Sequence, residues 1–235
     1  MQAFRAVLNT ALVAVVSIIG AIAALISRLF DWSGDSVISL ARGWSWLICK
    51  LSGVKIDVES HSQLDPAGSY VFMANHLSTI DIWALYVALP VKVRMIAKKQ
   101  LRAIPLFGWA MWAGRFIFID RQNAIAARRS IERAEERIRS GASVLLFPEG
   151  TRSRDGQLQA FKKGGFHLAI DAGVPIVPVA IHGTRELMPR KSLRVKPGRV
   201  RVTIGAPIPT EGMTADDRNA LLERVHGEIA GMLSR

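Results

Sequence analysis

Residues 69–81 read "SYVFMANHLSTID". The stretch opens on an apolar, strand-like run, crosses a polar turn at Asn75 and His76, and leads into a second apolar run, "IWALYVAL" (82–89). Successive residues of an α-helix turn by about 100°, so positions five apart point roughly 140° from each other and cannot touch. His76 and Asp81 therefore meet only if a helix starts between them. Ser78 is a suitable N-cap, and "STID" fits the capping pattern of Ser or Thr followed three residues later by an acid. Read this way, His76 sits on the turn and Asp81 on the first turn of the helix. A capped surface helix with an incidental histidine explains the same letters, because HxxxxD is a short pattern. The rest of the chain has to decide between the two.

The strand-then-helix alternation recurs. Short β-rich runs appear at "VKIDV" (54–58), "YVFMA" (70–74), "VRMIA" (93–97), "RFIFI" (115–119), "SVLLF" (143–147), "PIVPVAI" (175–181) and "RVRVTIG" (199–205). A helix is expected from near Asn123, with Ala127, Ile131, Ala134 and Ile138 as its apolar stripe and Gly141 at its end. Another is expected from Thr214, opened by "TADD", to the C-terminus. This order predicts an α/β fold: a mixed, largely parallel sheet flanked by helices over residues 55–235.

Residues 1–54 have a different character. "AVLNTALVAVVSIIGAIAALIS", between Arg5 and Arg28, carries no charge and is long enough to cross a bilayer. A signal peptide and a buried helix fit the same pattern. In "VISLARGWSWLICKLSGV" (37–54), Val37, Leu40, Ala41, Trp44, Leu47, Ile48 and Leu51 recur on one helical face, with Arg42 and Lys50 off it. Two tryptophans and two basic residues suit an interfacial helix, although a core helix fits too. The expectation is a membrane-attached helical pair. Lys+Arg number 31 against Asp+Glu 19, a net charge of +12, with half the residues hydrophobic and a mean hydropathy of +0.23. A basic and apolar chain points to a membrane surface or phosphorylated substrate before nucleic acid. Cys49 is the single cysteine, which excludes an intrachain disulfide and a cysteine-based zinc cluster. HExxH, GxxxxGK[S/T], GxGxxG and GxSxG are all absent.

Several strand-like runs end in polar clusters: "NHLSTID" (75–81), "DR" (120–121) and "PEGTRS" (148–153). In open α/β sheets ligands collect outside the C-terminal strand ends, so these clusters are candidates for one cleft. Gly150 permits close backbone approach, and Arg152 can fork onto phosphate oxygens. Glu149 is suited to fixing a base or a substrate hydroxyl. "FKKGGF" (161–166) adds cations and a glycine-rich helix entry, and Lys98 and Lys99 lie at another strand end. A plain turn with a surface salt bridge is the bland alternative for "EGTR".

Four blocks together, "NHLSTID" (75–81), "GRFIFIDR" (114–121), "FPEGTRS" (147–153) and "VPVAI" (177–181), resemble the glycerolipid acyltransferases, most closely the bacterial 1-acyl-sn-glycerol-3-phosphate acyltransferase branch. The resemblance covers roughly residues 54–210. It implies transfer of a fatty acyl group from acyl-CoA or acyl-carrier protein to the sn-2 hydroxyl of lysophosphatidic acid, giving phosphatidic acid. It casts His76 as general base and Asp81 as its orienting partner, with no acyl-enzyme and no role for Cys49. It assigns the acceptor phosphate to Arg152 with Lys98 or Lys99, and the surrounding pocket to Glu149, Gly150, Thr151 and Arg121; Asp120 and Arg121 border that pocket, where a structural ion pair explains them equally well. It implies no cofactor and no metal, a cytoplasmic membrane location with the site facing the cytoplasm, and an anionic leaflet as partner in place of nucleic acid. The basic segment "RELMPRKSLRVKPGRVR" (185–201) is the densest positive region and a candidate for contact with that leaflet or with an acidic carrier protein. Backbone N–H groups near Gly150 are candidates for an oxyanion site. Rival readings are the same chemistry on glycerol 3-phosphate, another lysophospholipid or a lyso-ornithine lipid, a non-catalytic basic membrane module, and a hydrolase using Ser78.

Overall fold

The computed structural model describes residues 2–120, 124–190, 192 and 194–235, with the side chains of residues 2–9, 124, 125, 127 and 128 left aside. Two helices, α1 (Gln2–Ser27) and α2 (Asp35–Leu51), precede β1 (Val54–Ser60), β2 (Val71–Ala74), α3 (Ile80–Ala88) and β3 (Val93–Lys98). A 3-10 turn (Lys99–Ala103) leads to α4 (Phe107–Ala113), β4 (Ile117–Ile119), α5 (Ala124–Arg139) and β5 (Ser143–Leu146). Then come α6 (Gly164–Ala172), β6 (Ile176–His182), α7 (Thr184–Leu187), β7 (Gly198–Ile204) and α8 (Arg218–Leu233).

The strands form one sheet in the order β1-β7-β6-β2-β5-β3-β4, and every pairing is parallel except β6 with β7. All seven strand-like runs of the sequence are strands, and the expected mixed, largely parallel sheet flanked by helices is the architecture found. β2 and β5 are buried on every residue and β6 on all but its last, because both of their faces are covered by helices. One apolar cluster joins α2 and α3 to one face through Ile48, Ile80, Leu85, Phe72 and Val179. The other joins α5, α6 and α8 to the opposite face through Ile138, Phe166, Val225 and Val144. In α5, Ala134 and Ile138 are buried and Ile131 packs against them, as the stripe predicts. Asn123 and the side chain of Ala127 lie outside the described residues.

Three local expectations shift. The buried face of α2 runs through Val37, Ile38, Ser45, Ile48 and Cys49, rotated from the stripe expected, and Leu40 and Trp46 face outward. The rotation follows from its neighbours: α2 packs on α1, α3 and β1, so its inner side is chosen by the domain core. The C-terminal helix starts at Arg218, because the Asp217 carboxylate accepts the Thr214 N–H and O–H and folds "TADD" into a preceding turn. The cap position of α3 falls one residue later, at Thr79, whose side chain makes no cap bond; the Ser78 oxygen accepts the Ile80 N–H at 3.4 Å, while its O–H donates to the Met188 carbonyl at 2.7 Å. The amides just before the helix are satisfied by Asp81, as described below.

α1 also packs on α4, with Ala24, Val37 and Ala113 buried between them. Its other side leaves Val15, Ile18, Ile19, Ile22 and Ile26 exposed. The stretch Thr10–Ser27 is long and apolar enough to cross a membrane. Exposed apolar side chains continue past it at Leu29, Phe30 and Trp32, and on and around α4 at Ile104, Phe107, Trp109 and Trp112. Residues from both sides of position 54 thus contribute to the apolar surface.

Candidate active site

Parallel pairing brings the C-terminal ends of β2, β5, β3 and β6 to one edge of the sheet. The polar residues following each strand therefore gather there. At the exit of β2, Asn75 clamps the neighbouring strand: its Nδ2 donates to the Ile181 carbonyl at 3.0 Å and its Oδ1 accepts the Ile181 N–H at 2.8 Å. His76 follows on the turn. The helix does begin between His76 and Asp81, and the two side chains meet, Nδ1 to Oδ2 at 2.7 Å.

Asp81 has a fully buried side chain. A buried carboxylate needs its oxygens hydrogen-bonded. Oδ2 accepts the His76 ring N–H and the backbone N–H groups of Leu77 (2.7 Å) and Ser78 (2.8 Å). Oδ1 accepts the Thr184 hydroxyl. The bond to Ser78 N–H is the acid's half of the expected capping box, so one carboxylate both starts the helix and holds the imidazole. With Nδ1–H anchored, the ring's lone pair lies on Nε2. Phe147 stacks on the imidazole with centroids 3.9 Å apart and planes inclined by 12°, which fixes the ring's tilt as well.

The "FPEGTRS" loop leaves β5 and wraps this turn. Glu149 is 3% exposed, and its two oxygens accept the His76 N–H at 2.7 Å and the Gln159 N–H at 3.3 Å. Burial raises the carboxyl to about 7, opposed by those two amide bonds and reinforced by the nearby charges of Asp81 and Asp155. In return the Ser153 N–H donates to the His76 carbonyl at 2.8 Å. The two motifs are thus tied backbone to side chain in both directions. Gly150 has φ +76, a left-handed conformation that makes glycine the natural residue there, and its N–H closes the turn onto the Phe147 carbonyl at 3.0 Å. That amide is therefore committed to the turn. Lys162 lies against Gly150.

Arg152 crosses back over the His76 turn, with Nη1 donating to Thr79 Oγ1 at 3.1 Å, and its carbonyl accepts Nη1 of Arg190 at 2.7 Å. Thr151 is exposed. Lys98 and Lys99 lie at the same sheet edge, the last residue of β3 and the first of the 3-10 turn, two strands away from β2. Lys98 is exposed, and Lys99 Nζ pairs with Asp120 at 3.3 Å. Arg121 lies outside the described residues. The structure thus draws His76, Asp81, Glu149 and Arg152 into one cluster, with the two lysines on the flank.

Two contributors were not singled out from sequence. Phe147 ends a strand-like run and heads "FPEGTRS", but the sequence assigns it no role. Thr184 lies just past β6 in "HGTR" (182–185), and the rule that found the other clusters, polar residues following a strand, points to it as well.

The arrangement offers a base at Nε2, a cation nearby in Arg152, and a rigid frame for both. Comparison with known proteins gives the family. The family model described as Acyltransferase matches residues 33–182. The chain is 36% identical over 178 residues to the human 1-acyl-sn-glycerol-3-phosphate acyltransferase alpha, which aligns 74% of this chain with 62% of that protein. It is 34% identical over 212 residues to an uncharacterized acyltransferase of Schizosaccharomyces pombe, covering 89% of this chain and 76% of that one. The crystal structure of the 1-acyl-sn-glycerophosphate (LPA) acyltransferase PlsC of Thermotoga maritima superposes with a TM-score of 0.81 at 26% identity, over 100% of this chain and 99% of the other. The chain spans about three fifths of the length of the first of these curated relatives, 62%. With its sheet, its helical pair and more than half its length matched in this way, the chain belongs to the acyltransferase family.

Proposed function

We propose that the protein transfers a fatty acyl group from acyl-CoA or acyl-carrier protein to the sn-2 hydroxyl of lysophosphatidic acid, giving phosphatidic acid. The observation that carries this reading is the His76–Asp81 pair at 2.7 Å, with Arg152 across the same turn. The likeness to proteins named as acyltransferases for 1-acylglycerol phosphate supports the choice of acceptor.

The chemistry follows from the geometry. A hydroxyl is a weak nucleophile until its proton is removed during attack. His76 Nε2 accepts that proton as the oxygen bonds to the thioester carbonyl carbon. The tetrahedral intermediate then collapses, the C–S bond breaks, and the imidazolium returns the proton to the departing thiolate. Asp81 takes no proton. It holds the tautomer and stabilises the imidazolium. The transfer is direct, so no side chain is acylated. Cys49 is buried in the α2 packing, and burial raises its thiol to about 11, which suits a structural residue. Arg152 holds the acceptor phosphate through a guanidinium fork, with Lys98 or Lys99 as a flanking cation. Glu149 supports this cleft by tying its two walls together. The apolar surface of α1, Leu29–Trp32 and α4 rests on the cytoplasmic side of a membrane, where thioester donors are available.

The test is acyl transfer by the purified full-length protein from a radiolabelled thioester to lysophosphatidic acid, glycerol 3-phosphate, a neutral lysophospholipid and a lyso-ornithine lipid in parallel. Lysophosphatidic acid is expected to be the preferred acceptor. Preference for another would leave the chemistry standing and replace the acceptor. Label trapped covalently on the protein would overturn direct transfer.

A further inference from the structure

At the opposite edge of the sheet, where the strands begin, a cavity of about 190 Å³ is lined by Ser33, Arg94, Arg115, Arg137, Ser140 and the backbone at Gly141. Water occupies roughly 30 Å³ per molecule in the liquid, so this space holds a small polyatomic group. Three guanidinium groups on one small cavity are an unusual use of charge. Arg94 is 8% exposed and sits on the second residue of β3, with Nη2 donating to Asp35 Oδ1 at 2.6 Å and to the Ser33 carbonyl at 3.0 Å. Asp35 is shared with Lys92 at 3.2 Å, so its charge is already divided between two cations. Arg137 donates to the Arg115 carbonyl. Among the described residues no carboxylate lies within ion-pair distance of Arg115 or Arg137. Burial, then the charges of Arg115, Arg94 and Arg133, push the Arg137 guanidinium below its ordinary range, opposed by the charge of Glu136. Arg115 holds its place with φ +57, a conformation uncommon for a residue with a side chain.

The surroundings narrow the occupant. Ser33 follows directly on Leu29, Phe30 and Trp32, which are 71%, 84% and 73% exposed. Arg115 follows α4, whose Trp112 is also exposed, and Arg28 lies over both Trp32 and Trp112. A basic cavity thus opens beside an apolar surface. Planar guanidinium forks match phosphate oxygens, and the adjoining aromatic and aliphatic side chains suit acyl chains or a bilayer surface. We infer that this cavity binds the phosphate of an anionic phospholipid headgroup, at a site separate from the acyl-transfer site by the length of the sheet. β3 sets that separation. Arg94 is at its start and Lys98 at its end, roughly 13 Å apart at about 3.3 Å per residue.

The experiment is vesicle flotation of the full-length protein. Phosphatidylglycerol, which is neither the acceptor nor the product proposed above, is the probe. Binding is compared between phosphatidylcholine vesicles and vesicles with one part in five phosphatidylglycerol. Arg115→Asn with Arg137→Gln removes two charges at the cavity. Asn tolerates the left-handed backbone, and Gln keeps a donor for the Arg115 carbonyl. Lys55→Gln with Arg224→Gln removes two exposed charges elsewhere. The preference for phosphatidylglycerol should fall by about tenfold or more in the cavity variant, the scale of a lost charged hydrogen bond, and much less in the control. Equal losses in the two variants would mean bulk charge alone and overturn the site. Inorganic phosphate, against chloride at matched ionic strength, separates the two sources of the ligand. If phosphate raises the melting temperature of the wild type and not of the cavity variant, while both proteins keep the preference for phosphatidylglycerol, the cavity takes soluble phosphate and the lipid assignment falls. If the preference is lost with the cavity charges, the headgroup is the ligand. Should the double variant fail to fold, Arg115→Asn alone carries the test, since that side chain is exposed.

Discussion

At one edge of the sheet a single carboxylate, Asp81, is enclosed by four donors, while at the other three guanidinium groups line a cavity where, among the described residues, only Arg94 has a carboxylate within ion-pair distance. The first arrangement uses buried charge to hold a shape. Every oxygen of Asp81 is engaged, so the helix start, the imidazole and α7 are locked relative to each other. The second arrangement concentrates one sign of charge beside an apolar surface and leaves it under-compensated. A charge surrounded by partners from its own chain serves geometry. A charge cluster short of partners is where the proposed lipid phosphate fits. Both edges exist because parallel strands start on one side and end on the other.

The sharpest way to break this contrast is to remove the group that Asp81 orients. His76→Ala should lower acyl transfer to lysophosphatidic acid by roughly 10²–10⁴-fold, the range for losing a general base. Far-ultraviolet circular dichroism should be unchanged, because the helix start is held by amides and not by the ring. Turnover near the wild-type rate would remove the mechanism. Next in size is Arg152→Lys. A lysine cannot reproduce the guanidinium fork, and a charged hydrogen bond contributes about 1.5–3 kcal/mol. The Michaelis constant for lysophosphatidic acid should rise about ten- to a hundredfold. The constant for the acyl donor should change little. A rise in the donor constant instead would reverse the assignment of the phosphate site.

Thr184→Val probes whether Asp81 depends on all four donors. The substitution leaves a buried carboxylate oxygen without its hydroxyl partner, a cost of about 1–3 kcal/mol. A lower melting temperature and a shifted pH–rate profile are expected, and Thr184→Ser should restore both. An unchanged pH–rate profile would make Thr184 a packing residue only. The smallest effect concerns Glu149. Its carboxyl is raised from 4.5 to about 7, so the folded protein holds this proton more tightly than the unfolded chain. The corresponding stability is present below pH 4.5 and is lost as pH rises through about 7. Glu149→Gln does not titrate. The melting temperature of the wild type minus that of the variant should therefore decline across this window and level off above it. A difference that grows with pH would show the carboxylate to be stabilised in its charged form.

Much of this was legible in the letters. The seven strands were readable because β-branched and aromatic runs bounded by turn residues depend on their own neighbourhood. Helix geometry over six residues set the condition for His76 to meet Asp81, and the resemblance carried by the later blocks decided that they do. Ser78 was legible in part: the pattern marked the helix start and its oxygen accepts the Ile80 N–H, but the partner of its O–H is Met188, 110 positions away.

What tertiary structure alone decided are the partners distant in sequence. Thr184 reaches Asp81 across 103 positions, and Glu149 holds the His76 amide across 73. The inner face of α2 was chosen by α3 and β1, since a helix with apolar residues on several sides has no preferred side until something packs against it. Arg94, Arg115 and Arg137 carry no spacing that would mark them as a group. They converge because β3, the turn before β4 and the end of α5 all lie at the sheet edge where the strands begin. Local chemistry determined the elements and the one pair that sits within a single turn. Long-range packing, which joins residues by space and not by sequence, determined which charges were neutralised and which were left facing outward.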